Sequence, residues 1–184
     1  MIGSGRIAAT ALSMALGALV TAAPAAAHVS AAQRVAVGRG VIDFASDAQP
    51  GTIVISASQR RLFYVVGEGR AISYPVAVPK HGKEWSGVKS IQAKYENPDW
   101  TPPADVRADH PDLPDVIPGG SPRNPMGSRA MLLDGDQVAI HGTTARMRAS
   151  IGSAASYGCI RMLNEDVADL YERVGVGTTV IMQP

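Results

Sequence analysis

A run of prolines in the middle of the chain limits the folds that are open to it. Residues 97–127 hold eight of the thirteen prolines. Because proline fixes φ and removes a backbone donor, we predict no regular helix or strand in this segment. Too few residues lie on either side for two ordinary domains, and the composition is not that of a flexible Gly/Ser linker. We therefore predict one domain whose long loop forms a lid or a substrate groove, with an interdomain spacer as the alternative.

The N-terminal residues have the layout of an export signal. Arg6 precedes an apolar, alanine-rich run, and Ala27 ends an A-x-A pattern that fits a cleavage site. An uncleaved membrane anchor is the alternative, but the run is short for a bilayer span. We predict a signal peptide over residues 1–27, a flexible lead-in over 28–50 and one folded domain over 51–184. The mature protein is then exported to the periplasm or cell envelope, without stable insertion in a membrane.

The balance of charge argues against two classes of partner. The chain has 17 basic and 16 acidic residues, and loss of Arg6 with the signal makes the numbers equal. A neutral chain lacks the basic surface that is typical of nucleic-acid binding or of attachment to anionic membranes. The histidines His28, His81 and His110 lie in apparent loops without the spacing of metal ligands, so we predict no metal site.

Hydrophobic alternation predicts a domain built mainly of β-strands. The predicted strands cover residues 52–58, 61–66, 71–78, 129–133, 137–142 and 178–182. A helix follows Asn164, which is a good N-cap, and ends at Gly175. Its apolar face consists of Val167, Leu170, Tyr171 and Val174. The expected fold is therefore mainly β with a short helix in the C-terminal region, and residues 143–156 are expected to form a loop with room for one short helical turn.

Cys159 is the only cysteine in the chain. Exported proteins usually carry cysteines in pairs, because their compartment favours disulfides. Three explanations of the lone thiol remain open at this point: a small buried apolar side chain, a reactive group and, as a minor alternative, one half of an intermolecular disulfide. The residues around Cys159 must distinguish them.

Several groups close to Cys159 in the sequence are able to activate a thiol. His141 ends an apolar strand, where its imidazole can be held rigidly as a base. Gly158 lets the backbone turn sharply, and the amide groups of Tyr157, Gly158 and Cys159 are candidates for an oxyanion hole. Each of these features alone is weak evidence, but their combination favours a nucleophilic cysteine.

Two further residues are candidates for substrate binding. Arg161 carries a guanidinium group that suits a carboxylate, either on a substrate or in a structural pair with Glu165 or Asp166. Trp100, in the proline-rich loop, is large enough to line a cleft. We assign both residues to substrate binding, with the structural ion pair as the alternative for the arginine.

The motifs "IHGT" and "SYGCIRM", followed by an acidic helix start and "VGTTVIM", resemble the catalytic domain of the L,D-transpeptidases, the YkuD-like family. Upstream, "RRLFYVV", "NPDWTPP", "VIPGG" and "NPMGSRAM" extend the resemblance to roughly residues 51–182. Fifteen residues separate His141 from Tyr157, a spacing that the family tolerates. This sequence departs from the family motif at Tyr157, because many members carry histidine at this position.

The resemblance implies a mixed β-sandwich-like catalytic domain over residues 51–184 that acts on peptidoglycan stem peptides. Cys159 would be the nucleophile and His141 the general base, and the backbone carbonyl of Gly142 would orient His141. The thiolate would attack the carbonyl of an L-centred diaminoacid and expel D-alanine. The acyl group would pass to another stem peptide in a 3-3 crosslink, to an outer-membrane protein or to water. The resemblance implies no cofactor, and it implies acylation of the cysteine by carbapenems.

Other functions fit parts of this pattern. A sortase-like transpeptidase or a cysteine amidase also uses histidine and cysteine, but the eighteen-residue step from His141 to Cys159 counts against both. An L,D-carboxypeptidase, which transfers the acyl group only to water, is a further alternative. A catalytically inactive wall-binding module is supported only by Tyr157.

Overall fold

The structure is a computed structural model that describes residue 1, residues 38–135 and residues 137–184. The predicted signal peptide, apart from its first residue, and the first part of the predicted lead-in lie outside the described residues. The strands are β1 (Gly40–Asp43), β2 (Ile53–Ser56), β3 (Arg61–Gly67), β4 (Arg70–Pro79), β5 (Gly87–Glu96), β6 (Arg129–Leu133), β7 (Ala139–His141), β8 (Ala154–Ser156), β9 (Ile160–Met162) and β10 (Thr179–Gln183). The helices are α1 (Ala104–Asp109), a 3-10 helix (Ala145–Ser150) and α2 (Asn164–Arg173).

Two sheets share the long strands β4 and β5 as their corners. In the first sheet, β1 and β3 pair with the first half of β4, and the order continues through β2 and β10 to the first half of β5. In the second sheet, β6, β7 and β9 connect the second half of β5 to the second half of β4. The strand order therefore closes on itself. The pairs β2–β10 and β7–β9 are parallel, so the predicted mainly β, mixed sandwich-like class is confirmed.

The main apolar core contains residues of both sheets and of α2. β2 is buried along its whole length, and eight of the ten residues of β4 are buried. Strands that are covered on both faces have nearly continuous runs of apolar residues, which explains the sequence "AISYPVAV" in β4. Helix α2 lies against β6 and β7. Its residues Val167 and Leu170 are fully buried and Val174 nearly so, which confirms the predicted apolar face.

The two ends of α2 differ, because only the C-terminal end is capped by a side chain from elsewhere in the fold. Asn164 is the first helical residue and Leu163 occupies the N-cap without a side-chain bond, so the predicted cap was wrong. At the other end, Lys94 Nζ lies 2.6 Å from the carbonyl oxygens of Tyr171 and Val174. Lys94 thus donates to carbonyl groups that a helix leaves without partners.

No helix among the described residues is long and apolar enough to span a bilayer.

Five elements differ from the sequence-based expectation. Four of them are strands that were not predicted: β1, β5, β8 and β9. β5 was missed although residues 91–96 alternate between apolar and polar, and half of the strand is exposed. β1 lies in the predicted lead-in but pairs with β4, so the sheet begins before Gly51. Helix α1 lies inside residues 97–127, where the prediction of no regular structure was wrong. Residues 104–109 contain no proline, and Pro103 precedes the first turn, where proline is tolerated.

The rest of the proline-rich segment is ordered by polar contacts. Trp100 and Ile117 form a β-bridge through two backbone hydrogen bonds of 2.9 and 2.8 Å. The buried Asn124 donates from Nδ2 to the carbonyl oxygens of Pro98 and Ile117 at 2.8 and 3.0 Å. These contacts close a compact loop that carries α1. The segment is therefore a folded part of the domain rather than an interdomain spacer.

Replacement of the buried leucine of α2 tests the packing of this helix. Leu170→Ala is expected to lower the free energy of unfolding by about 2–5 kcal/mol, because it leaves a cavity between α2 and the second sheet. Glu172→Ala, at an exposed position of the same helix, is the matched control and should change stability by less than about 0.5 kcal/mol. Urea unfolding of both variants measures the difference. Equal effects would contradict the packing of α2 described above.

Candidate active site

A cleft of about 930 Å³ contains Cys159, His141 and Arg161. The proline-rich segment forms one wall, through Trp100 and residues of α1. The 3-10 helix and the residues before Cys159 line the other side. The structure thus brings most of the predicted site residues to one place, although His141 ends β7 and Cys159 lies just before β9.

The parallel pairing of β7 and β9 places these two residues close to each other. His141 is the last residue of β7, and Cys159 immediately precedes β9. The register aligns Ile140 with Ile160 and His141 with Arg161. Parallel neighbours need a crossover connection, and residues 142–159 provide it. Residues eighteen positions apart in the sequence therefore lie on adjacent segments of the second sheet, with His141 level with Arg161, two residues beyond Cys159, and both line the same cleft.

Burial controls the protonation of His141. The residue is only 4% exposed, and its Nδ1 has no hydrogen-bond partner among the described residues. Burial, with the nearby charge of Arg161, lowers the pKa of His141 to about 3. The backbone carbonyls of Gly142 and Pro125 oppose this shift in pKa, but neither meets the geometry of a hydrogen bond with Nδ1. The predicted orienting role of the Gly142 carbonyl stays a prediction.

Close packing around Gly142 fixes the backbone that follows His141. Asn164 Oδ1 accepts a hydrogen bond from Thr143 N at 3.0 Å, and Asn164 Nδ2 donates to Thr143 O at 2.9 Å. A Cβ atom at Gly142 or at Gly127 would overlap Asn164 Oδ1. Glycine is therefore required at both positions, because the side chain of Asn164 leaves no room for a Cβ atom. Asn164, assigned to a helix cap in the sequence analysis, instead ties α2 to the loop after the histidine.

The thiol of Cys159 is unpaired and partly buried. Its Sγ lies 3.8 Å from the carbonyl oxygen of Gln137. Burial raises the pKa of the Cys159 thiol, and the negative charge of Asp105 acts in the same direction. The backbone amide of Ala139 and the charge of Arg161 partly offset this rise in the pKa. The structure thus places a free thiol in the lining of the cleft, and its role as a reactive group stays a prediction.

Two side chains hold the backbone turn that carries the cysteine. Ser156 Oγ donates to the Cys159 carbonyl oxygen at 2.5 Å and accepts from Gly158 N at 3.4 Å. Trp85 Nε1 donates to the Gly158 carbonyl oxygen at 2.9 Å. Gly158 has a φ of 129°, which favours glycine. The turn is therefore rigid, while the oxyanion hole assigned to the amides of residues 157–159 stays a prediction.

Arg161 contacts no carboxylate among the described residues. Its Nη1 donates to Ser150 Oγ at 2.8 Å, and its Nε is buried without a hydrogen-bond partner. The side chain is almost fully buried, at 7% exposure. The two acids that were considered as its structural partners bind other arginines at 2.7 and 3.5 Å: Glu165 binds Arg148, and Asp166 binds Arg39.

Tyr157 and Trp100 both line the cleft. Trp100 is half-buried and held by its bridge to Ile117. The hydroxyl of Tyr157 donates to Asp109 Oδ2 at 2.5 Å, and Lys80 Nζ lies 3.5 Å from the centre of its ring. The side chain of Tyr157 therefore points to α1. Its contact with the carboxylate of Asp109 could not be predicted from the sequence.

Four supporting residues were missed or misassigned from the sequence. Ser156 lies inside the motif around the cysteine, so its closeness to Cys159 in the sequence could have identified it. Trp85, Asp109 and Ser150 are far from Cys159 in the sequence and leave no local signal. No group of three or more His, Cys, Asp or Glu side chains in the described part of the chain is arranged to hold a metal ion.

Comparison with known proteins supports one family. The family model for the L,D-transpeptidase catalytic domain, YkuD, matches residues 50–182. The probable L,D-transpeptidase YbiS of Escherichia coli K12 is 38% identical over 138 residues, which cover 71% of this chain and 43% of YbiS. The chain therefore spans less than half the length of that relative.

Two solved structures share the fold. An L,D-transpeptidase from Mycobacterium smegmatis has a TM-score of 0.58 at 18% identity and covers 72% of this chain and 58% of its own. A Brucella melitensis protein described as a probable carnitine operon oxidoreductase has a TM-score of 0.52 at 42% identity, over 76% of this chain and 89% of its own. The descriptions of these two structures differ. The family model covers well over half of the chain and therefore determines the family assignment. The chain belongs to the L,D-transpeptidase family, through a YkuD-type catalytic domain.

Proposed function

We propose that this protein is an exported cysteine L,D-transpeptidase that acts on peptidoglycan stem peptides through a thioacyl intermediate on Cys159. The observation that carries the proposal is that Cys159 and His141 line one cleft from two adjacent parallel strands, Cys159 directly before β9 and His141 at the end of β7. A nucleophilic thiol needs a base, and His141 is the buried imidazole of this cleft. Membership of the family supplies the reaction class.

The resting site holds a neutral thiol and a neutral imidazole. Burial raises the pKa of Cys159 and lowers that of His141, so both groups are uncharged near neutral pH. The thiol proton therefore moves to His141 as Sγ attacks the acyl carbon, rather than before the attack. The resulting oxyanion would be stabilised by the amides of Tyr157, Gly158 and Cys159.

The reaction then proceeds by two acyl transfers. Collapse of the first tetrahedral intermediate breaks the bond from the acyl carbon to nitrogen, and His141 returns its proton to the departing D-alanine amine. A thioester with Cys159 remains. In the second transfer, the nitrogen of an acceptor amine bonds to the acyl carbon and the C–S bond breaks. The proton lost by that nitrogen passes through His141 to Sγ, so the enzyme returns to its starting state.

The charges of the cleft suit a substrate that carries carboxylates. Arg161 lies at the base, and its buried Nε is a donor that a substrate carboxylate would satisfy. Arg123 and Arg146 also line the cleft, and neither makes an ion pair with the described residues. The only acid of the lining, Asp105, is paired with Lys83 at 2.7 Å. Stem peptides, with their carboxylate termini, fit this cationic cleft.

Two features of the proposal follow from its substrate. Peptidoglycan lies outside the cytoplasm, so removal of residues 1–27 and residence in the periplasm or cell envelope are part of the proposal. The acyl acceptor is proposed to be the side-chain amine of a second stem peptide, giving a 3-3 crosslink. An amine on an outer-membrane protein and water are the other acceptors, and product analysis distinguishes the three.

Product analysis tests the proposed reaction. Purified protein with disaccharide-tetrapeptides should yield 3-3 dimers and released D-alanine, detected by mass spectrometry. Cys159→Ser should retain the fold but lower the rate by at least about a thousandfold, because a hydroxyl is far less acidic than a thiol. Intact wild-type protein should also gain the mass of a carbapenem. Unreacted substrate and an unmodified mass in the wild type would instead support an inactive wall-binding module.

Substitution of Arg161 tests the proposed carboxylate contact. Arg161→Lys keeps the charge but removes the fork that binds a carboxylate through two nitrogens, so kcat/KM should fall by about tenfold or more. Arg60→Lys is the matched control, because Arg60 is exposed and lies outside the cleft. Melting temperatures should stay close to that of the wild type. A lower melting temperature with a proportionate loss of activity would assign Arg161 a structural role instead.

The lowered pKa of His141 predicts how stability depends on pH. An unfolded histidine has a pKa of about 6.5, whereas that of folded His141 is about 3. Between these values the unfolded chain binds a proton that the folded chain does not. Stability is therefore full above about pH 6.5 and falls by up to about 1.4 kcal/mol per unit as the pH decreases.

Urea unfolding between about pH 5 and 7 measures this dependence. His141→Gln should remove the corresponding part of the slope, while His110→Gln, at an exposed histidine, should keep it. The same slope in the wild type and in His141→Gln would show that the imidazole is charged in the folded protein.

A further inference from the structure

Helix α1 forms part of the cleft wall but has little apolar support. It has six residues, none of them buried, and no side chain bonds to its N-terminal amides from the N-cap. A helix of this length is marginal on its own, because few of its hydrogen bonds offset the cost of nucleation. Its position over the cleft therefore depends on the polar side chains that hold it.

Two sets of contacts tie α1 to the rest of the domain. Lys83 binds Asp105 in the first turn at 2.7 Å. In the last turn, Asp109 accepts a hydrogen bond from the Tyr157 hydroxyl at 2.5 Å and lies 3.6 Å from Lys80 Nζ. Lys80 also lies over the ring of Tyr157, 3.5 Å from its centre. Tyr157, Asp109 and Lys80 thus contact one another, and we refer to these three residues as the latch.

The latch joins α1 to the turn that carries the nucleophile. Tyr157 lies two residues before Cys159, on a turn that Ser156 and Trp85 hold rigidly. Asp105 of α1 is close enough to the thiol for its charge to act on Cys159. Val106, on the next position of α1, lines the same cleft. A helix held by the latch therefore covers the place where a thioacyl group on Cys159 would lie.

We propose that Tyr157 is a positioning residue that, through the latch, keeps α1 over the thioacyl intermediate and limits the access of water to it. The inference rests on the proposed function. In transfer, an amine nitrogen bonds to the acyl carbon, the C–S bond breaks and the proton lost by nitrogen returns to Sγ. In hydrolysis, the oxygen of water takes the place of nitrogen, and the product is a carboxylic acid. A closed α1 favours the amine, because a bound acceptor fills the remaining space.

Tyrosine suits this role better than the histidine that many relatives carry. Its hydroxyl extends beyond the ring and donates to Asp109, while the face of the ring binds the Lys80 ammonium group. The Tyr157 hydroxyl is directed at α1, so it serves the position of the helix. The departure from the family pattern is thus explained by a contact rather than by loss of function.

The ratio of hydrolysed to transferred product tests the proposal. Wild type, Tyr157→Phe, Asp109→Asn and the double variant receive the same tetrapeptide donor and the same fixed concentration of amine acceptor. The ratio should rise about threefold to tenfold in each single variant, the range expected for one lost hydrogen bond. The double variant should match the single variants, because both remove the same contact. Tyr95→Phe, at an exposed tyrosine of β5, is the control and should leave the ratio unchanged.

This ratio does not depend on the fraction of folded enzyme, since both products come from the same intermediate. A general loss of stability therefore leaves the ratio unchanged. Ratios equal to that of the wild type in both single variants would overturn the proposal. Effects that add in the double variant would also overturn it, because they would show that the two residues act separately.

Amide hydrogen exchange tests the position of α1 without any reaction. Exchange in residues 104–109 should become faster in Tyr157→Phe, while exchange in residues 164–173 of α2 stays as in the wild type. Unchanged exchange in α1 would overturn the latch. A wild-type protein that forms neither product would overturn the proposed function, and water exclusion with it, whereas the exchange measurement would still decide whether Tyr157 holds α1.

Discussion

The parallel pairing of β7 and β9 is the constraint on which the site depends. A parallel pair needs a long crossover, and here the crossover supplies the 3-10 helix, β8 and the turn before Cys159. The same residues that make the pairing possible therefore form one side of the cleft. The pairing also buries the end of β7, and that burial lowers the pKa of His141. The pairing of β7 and β9 therefore accounts for the crossover, for one side of the cleft and for the lowered pKa of His141.

Burial gives this site a different resting state from that of enzymes with a thiolate–imidazolium pair. The surroundings of Cys159 favour the neutral thiol, and those of His141 favour the neutral ring. An uncharged thiol resists oxidation, which suits a cysteine that has no disulfide partner in the chain. Arg161 is the nearby cation, and its charge favours the thiolate while it disfavours the imidazolium. In the proposed reaction, a substrate carboxylate bound to Arg161 would weaken both effects and would thereby couple substrate binding to proton transfer.

Residues with local patterns could be predicted from the sequence, and those with distant partners could not. The strands β2, β3, β4, β6, β7 and β10 and the apolar face of α2 follow from hydrophobic periodicity. The motifs around Cys159 and His141, and the spacing between them, predicted that both belong to one site. Asn164 shows the limit, because the same residue type suits a helix cap and a loop contact, and only the fold decides between them. Trp85, 73 residues from its partner Gly158, had no local pattern at all.

Asn164 also links two parts of the molecule that differ in rigidity. It is the first residue of α2 and, through Thr143, holds the loop that follows His141. Helix ends fray more readily than helix centres, since their amides lack partners within the helix. Fraying of this first turn would release the histidine while both sheets stay intact. Heat is therefore expected to inactivate this protein by local loosening, at temperatures where most of its chain is still folded.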